Sequence, residues 1–314
     1  MHGLFRFIKK NPWKFQSEVS RLKAENKRLT AENAQLKMGH HFAPGHYYST
    51  IANLEEIREH HDAIFKNFPR ELPGIDLNEA GQQELFDQWK PIFAAADFPV
   101  TKEKGRRYYT ENNWYPYGDA IVLYCMMRHF RPKRIIEVGS GFSSCAILDT
   151  NERFFQNQIR CTFIEPEPER FLTAIFPEDH GRVDLVSKDV RSLPPEYFQS
   201  LDSGDILLID SSHVSKVYSD VNYLMFQVLP RLKSGVLIHI HDVFYPFEYP
   251  ANWVYEGWSW NEDYLVRAFL QHNQAFKIRF MNTLWYQFHA AQIQAEIPRA
   301  LGGGGGGSIW LQKV

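Results

Sequence analysis

The sequence predicts an α/β fold, a doubly wound and mostly parallel sheet of seven strands with a ligand site along its carboxyl edge. Three observations predict it. Strand and helix patterns alternate from residue 134 onward. A glycine-punctuated turn, Gly139-Ser140-Gly141, joins the first strand to a helix whose first turns read at Cys145-Ala146-Ile147-Leu148. Acids stand at successive strand ends: Glu165 after the second, Asp210 after the fourth and Asp242 after the fifth.

The strand candidates are 134–138, 161–165, 183–187, 205–210, 235–241, 276–282 and 308–312. The segments between the first five are long enough for crossover helices, which is what parallel neighbours require. An apolar helix over 118–130 leads into the first strand, its Met and Tyr residues read as core packing. Six glycines at 302–307 precede the last strand and read as a flexible connection. Residues 39–105 carry helical patterns at 54–57 and 82–93 but no recognisable chemistry, and are expected to form a helical cap or linker.

Residues 1–38 differ in kind. Residues 1–37 hold nine Lys or Arg against three Glu, so this arm carries +6 and leaves −8 for the remainder of a chain whose total is −2. An acidic body has no general attraction for nucleic acid, so none is expected as a partner. Phe15, Leu22, Leu29 and Leu36 recur every seven residues, with Val19, Asn26 and Asn33 at the complementary seam positions. That stripe over 15–36 predicts self-association through a short coiled coil, and seam asparagines favour a parallel register. A single amphipathic helix is the alternative. Leu4, Phe5, Phe7, Ile8 and Trp13 alternate with Arg6, Lys9, Lys10 and Lys14, the composition of an interfacial anchor, so residues 1–15 are a candidate for peripheral membrane contact.

At 314 residues, 44% hydrophobic and 23% charged, the composition is that of a globular enzyme-sized chain. No apolar run reaches the ~18 residues of a membrane span. Basic residues interrupt the first apolar cluster, which argues against a secretory signal. Cys125, Cys145 and Cys161 are scattered and lack zinc spacing, as expected of free thiols in a reducing cytoplasm. The expected location is cytoplasmic, with the arm a candidate for the inner membrane surface.

The segments Glu137-Val138-Gly139-Ser140-Gly141-Phe142-Ser143-Ser144, Ile209-Asp210-Ser211-Ser212-His213 and Leu229-Pro230-Arg231-Leu232-Lys233-Ser234-Gly235-Val236 resemble class I S-adenosylmethionine-dependent methyltransferases, and more narrowly methyltransferase family 24. The resemblance spans residues 106–314 and implies a Rossmann-like methyltransferase domain there. It implies that Glu137, Gly139, Gly141 and Ser143 cradle the methionine and ribose part of S-adenosylmethionine. Glu165 would accept from both ribose hydroxyls, and Asp189 would take the adenine amino group. A nicotinamide dinucleotide competes as cofactor, but the third glycine of its fingerprint is missing, because Ser143 stands there.

Asp210, His241 and Asp242 meet on one rim if strands four and five are neighbours. Two carboxylates and an imidazole are a plausible divalent-metal set. In the resembling methyltransferases that act on catechols or sugars, acids at these strand ends hold magnesium. His241 stands where an acid is common, which leaves the metal's identity open. Such a metal would orient an acceptor hydroxyl, with Asp210 among its ligands. His213 is placed to take the proton, as a neutral imidazole near pH 7. Beyond strand five, Tyr249, Trp260, Asn261 and Glu262 belong to an aromatic insertion suited to a polyhydroxylated or phenolic ring, or equally to a hydrophobic lid.

The expected function is a metal-assisted O-methyltransferase acting on a glycan, or on a glycosylated or phenolic small molecule. Two alternatives stand beside it: a metal-dependent hydroxylase on the same fold, as in the resembling cephalosporin hydroxylases, and a non-catalytic coiled-coil scaffold.

Overall fold

The computed structural model of the chain describes residues 12–37 and 41–314. It has two compact units, Met1–His61 and Asp62–Val314. Among the described residues no helix is long and apolar enough to cross a membrane.

In the first unit, α1 (Pro12–Lys37) is one continuous helix. Its charges pair along one helix, Arg21 with Glu18 at 2.7 Å and Arg28 with Glu32 at 3.3 Å. Pairs at this spacing contribute a few tenths of a kcal/mol each. The seam leucines Leu22 and Leu29 stand 53% and 44% exposed, and Asn26 and Asn33 are exposed with them. The basic, aromatic stretch at 1–11 lies outside the described residues, as do the side chains of Phe15 and Leu36.

The second unit is built on one sheet of seven strands: β1 (Arg134–Val138), β2 (Arg160–Ile164), β3 (Asp184–Val186), β4 (Ile206–Ile209), β5 (Leu237–His241), β6 (Phe276–Met281) and β7 (Ser308–Lys313). Their spatial order is β3-β2-β1-β4-β5-β7-β6. The first five run parallel, and β7 inserts antiparallel between β5 and β6. Central strands read as unbroken Ile, Leu and Val runs because helices cover both faces. Asp205 ties the starts of β1 and β4 together: its Oδ1 accepts from the backbone of Lys133 at 2.8 Å and Arg134 at 2.9 Å.

Helix α2 (Glu79–Phe93) buries Leu85, Phe86, Trp89 and Phe93, spaced along one helical face. Trp89 meets Phe280 of β6 at 4.9 Å between ring centroids. The segment expected as a cap therefore lies partly inside the core of the Asp62–Val314 unit. Helix α3 (Tyr117–Phe130) precedes β1 as expected, and α4 (Phe142–Phe155) follows it.

The glycine run corrects a sequence expectation. Its second half is packed rather than exposed. Residues Pro298–Gly305 form a 3-10 helix, and Gly305, Gly306 and Gly307 are buried. A Cβ on Gly307 would stand 2.5 Å from the Phe244 ring, so the absent side chains are what let this segment pack.

Candidate active site

The chain leaves β1 toward β2 on one side and the sheet continues to β4 on the other. Ligand crevices form at this reversal, outside the carboxyl ends of the strands. A cleft of about 610 Å³ opens there, lined by Tyr115, Gly139, Glu165, Asp189, Asp210 and Trp260 among others.

The glycine turn forms one wall. Gly139 has φ +90°, and a Cβ on it would lie 2.1 Å from the Asp210 carbonyl oxygen. Only glycine brings the β1 turn this close to the end of β4. Glu137 sits behind the turn, fully buried, and does not line the cleft. Its carboxyl accepts from the hydroxyls of Ser143 and of Ser144, the latter at 2.6 Å. Burial pushes its pKa up to about 8 against those two bonds. Glu137 thus organises the start of α4, while Gly139, Gly141 and Ser143 line the cleft.

Glu165 lies at the far end of the turn. Its Oε2 accepts from Ser140 N at 3.2 Å and its Oε1 from Glu167 N at 2.9 Å. Each carboxylate oxygen has two acceptor sites, so one on each remains for a ligand. Asp189 lines the cleft too, but Arg191 already engages both of its oxygens, with Nε 2.8 Å from Oδ1. The Arg191 guanidinium holds the Asp189 carboxyl below its ordinary range.

Asp210, His241 and Asp242 do come together. One donor atom from each lies within 4.8 Å of the others. His213 Nε2 is 3.4 Å from Asp210 Oδ1 and 3.6 Å from Asp242 Oδ2. His213 Nδ1 is 2.9 Å from Glu262 Oε2. His213 and Asp242 both adopt left-handed backbone, with φ of 57° and 55°. Such residues cost about 1–3 kcal/mol each and persist only where packing imposes them.

Burial works to raise the Asp210 carboxyl, but His241 and His213 outweigh it and hold Asp210 well below the usual range. Burial pushes Asp242 up to about 6 despite the same two imidazoles. For His213, burial opposes the charge, yet the bonds to Asp210 and Glu262 raise its pKa to about 10. The sequence expectation is a neutral imidazole near pH 7; the carboxylates facing His213 favour its charged form. His239, deeper on β5, is pushed down to about 3 by burial and by His241. Among the described residues neither of its ring nitrogens has a hydrogen-bond partner.

The aromatic insertion is used differently from the expectation. Trp260 lines the cleft, with its ring centroid 4.3 Å from that of His213. Tyr249 is buried beneath it, its hydroxyl accepting from Asp263 N at 3.1 Å. Asn261 is spent on the loop after β4, its Oδ1 accepting from Ser215 N at 2.6 Å. Glu262 is spent on His213. Backbone and imidazole donors in this loop need acceptors, and these side chains supply them, so they reach a ligand only indirectly.

Two contributors were not read from the sequence. Tyr115 is fully buried beside His241, its hydroxyl without a partner among the described residues. Asp119, on α3, lies 3.6 Å from His241 Nε2. The signal for Asp119 was a lone acid inside an apolar helical run.

Residues 136–243 match a protein family described as a methyltransferase domain. An uncharacterised protein of Archaeoglobus fulgidus is 32% identical over 183 residues, covering 56% of this chain and 80% of its own length. Among solved structures, the SAH-bound methyltransferase PaMTH1 of Podospora anserina is similar at 12% identity and a TM-score of 0.39, covering 88% of this chain and 99% of its own. The O-methyltransferase TomG of Streptomyces achromogenes, in complex with SAM, is similar at 12% identity and a TM-score of 0.40, covering 82% and 96%. CmcI in a Mg-SAM complex is similar at 17% identity and a TM-score of 0.39, covering 80% and 88%.

Proposed function

The chain belongs to the methyltransferase-domain family, and from that premise we propose that it moves the methyl group of S-adenosylmethionine to an acceptor hydroxyl with help from a divalent cation. The observation that carries the finer reading is the meeting of Asp210, His241 and Asp242 at one end of the cleft, directly beside the glycine turn. The residues fit both small partners. Glu165 keeps one acceptor site on each oxygen, which suits a vicinal diol such as ribose. At the other end four carboxyl groups, Asp119, Asp210, Asp242 and Glu262, surround two imidazoles, and both ring nitrogens of His241 lack a full hydrogen bond. That surplus of acid groups suits a cation.

Asp210, Asp242 and His241 would hold the ion, which when bound lowers the pKa of an acceptor hydroxyl and orients its oxygen. The chain's own residues do the rest. The glycine turn and Glu165 fix the methyl donor's position, and positioning is the larger part of what a bimolecular displacement needs. Trp260 offers a flat apolar face to a ring on the acceptor. His213 receives the hydroxyl proton at Nε2, which faces Asp210 and Asp242, while Glu262 holds Nδ1. For this the imidazole must first be neutral. Positive charge brought to Asp210 would cancel one of the two carboxylates that raise its pKa. A hydroxylated aromatic or sugar ring is the acceptor class these walls suit.

Glu165→Ala should weaken S-adenosylmethionine binding by roughly 1.5–3 kcal/mol, about 10- to 100-fold, the worth of hydrogen bonds to a charged group. Titration calorimetry of the full chain measures it, and an unchanged affinity would remove Glu165 from the donor site.

The exposed Leu22 and Leu29, seven residues apart on α1, favour pairing of this helix with a second copy. Removing residues 1–38 should then lower the mass seen by light scattering to that of a monomer. Methyl transfer to a soluble acceptor should persist, since no proposed site residue lies there. Equal association states with and without the arm would show that α1 does not set the assembly. Peripheral attachment of residues 1–15 to anionic lipid is a separate proposal, tested by vesicle sedimentation.

A further inference from the structure

Asp119 is an acid with no exposed surface, in the first turn of a helix that is apolar and buried from Ala120 to Met127. A carboxylate so placed is tolerated only when its acceptor sites are met. Three groups from distant parts of the chain meet them. Asn282 Nδ2, on the helix α5 (Asn282–Glu296), donates at 2.9 Å. Ser308 Oγ at the start of β7 donates at 2.7 Å, and Gly307 N donates to Oδ2 at 3.0 Å. The glycine run exists, in part, to make this approach. Gly306 has φ +85°, and a Cβ there would stand 2.5 Å from Asp119 Oδ2.

What remains of Oδ2 faces His241. Its distance to Nε2 is 3.6 Å, within ion-pair reach though longer than a hydrogen bond. On the opposite edge of the ring, Nδ1 lies 3.4 Å from Asp210 Oδ1 and 3.6 Å from Asp242 Oδ2. The imidazole is 4% exposed, so water does not orient it. We propose that Asp119 is a positioning residue for His241: it attracts the Nε2–H and thereby presents the Nδ1 lone pair to the space between Asp210 and Asp242. This inference rests on the cation reading above and adds a residue to it. A histidine that ligates a metal commonly donates its other N–H to a carboxylate, which fixes tautomer and ring orientation. Here the carboxylate is itself held by Gly307 N, Ser308 and Asn282 together, so that the loss of one of these bonds leaves the others in place.

The test compares Asp119→Asn with Ser308→Ala in the full-length chain. An amide at 119 can still accept from Ser308 and Gly307, but its NH2 group facing His241 favours the tautomer with N–H at Nδ1. Ser308→Ala removes one bond to the same carboxylate but leaves its charge, its bonds from Gly307 and Asn282, and the backbone pairing of residue 308 with His241 in place. Calorimetric titration with Mn2+ should show Asp119→Asn about 10- to 100-fold weaker than wild type, and Ser308→Ala within roughly twofold. Equal affinity of Asp119→Asn and wild type, or equal losses in both variants, would overturn the proposal and leave the cation reading standing. No Mn2+ binding by wild type would overturn both. Should Asp119→Asn fail to fold, the wild type decides: with isotope-labelled histidine and bound Cd2+, magnetic resonance should show cadmium coupled to His241 Nδ1 and a proton retained on Nε2. Cadmium on Nε2 would overturn the proposal.

Discussion

Asp210→Asn combined with Asp242→Asn should reduce methyl transfer by at least about a thousandfold, roughly 4 kcal/mol or more of transition-state stabilisation. The amides keep the shape of the carboxyls but remove both negative charges and turn N–H donors toward the place where a cation needs acceptors. Binding of the methyl donor should change little, because the glycine turn and Glu165 are untouched and the backbone of Asp210 that packs on Gly139 is kept. The split between donor affinity and turnover separates a lost cation from a collapsed cleft. Turnover can be followed with an isotope-labelled methyl donor against catechols and hydroxylated sugars, in excess Mg2+ and in chelator. Full turnover in the double variant, or in wild type with chelator, would mean that these acids serve the fold alone. Loss of donor binding alongside turnover would point to the Asp210 carbonyl and its tight contact with Gly139 as the damaged feature.

The sheet was legible because its strands are long apolar runs punctuated by Gly, Pro and acids. Every expected strand is present within two residues of its expected ends. The rim acids were legible for a related reason: a parallel strand that ends in a polar residue projects it into the crevice. What was not legible depends on tertiary approach. Nothing local marks Gly305 to Gly307 as buried, because six glycines in a row look the same whether they wave in solvent or close over a carboxylate. Glu262 looked like an acceptor contact because it sits beside aromatics. The left-handed backbone at His213, which turns its imidazole toward Glu262, cannot be read from residue type. His213 looked like a neutral base because its carboxylate neighbours come from three separate segments, and their sum sets its proton affinity.

Arg107→Ala should destabilise the Asp62–Val314 unit by about 3–5 kcal/mol, the usual cost of leaving buried charges without their partner. Arg107 is 3% exposed. Its guanidinium reaches Asp149 at 2.9 Å and Asp179 at 2.6 Å, with Glu152 at 2.8 Å on the rim. Asp149 and Asp179 are each only 2% exposed, so removing the arginine strands two carboxyls inside the protein. Burial already raises the Asp149 pKa despite the Tyr108 and Arg107 bonds that oppose it, and losing Arg107 drives it further the same way. The effect also reaches the cleft. The segment that begins at Arg107 ends at Tyr115, whose carbonyl accepts from the Tyr108 hydroxyl at 2.8 Å. Loosening its anchor frees the wall beside His241. Urea unfolding should show a lower midpoint with an unchanged slope, since the surface exposed on unfolding is the same. Arg107→Lys should recover only part of the loss, because one ammonium cannot span both carboxylates as the planar guanidinium does. A loss below about 1 kcal/mol in Arg107→Ala would place the network among ion pairs that merely offset their own desolvation. Arg107→Ala combined with Asp149→Asn and Asp179→Asn separates the cases further. If stranded charge causes the damage, this triple variant should be more stable than Arg107→Ala alone; if lost packing of the guanidinium does, it should be no better.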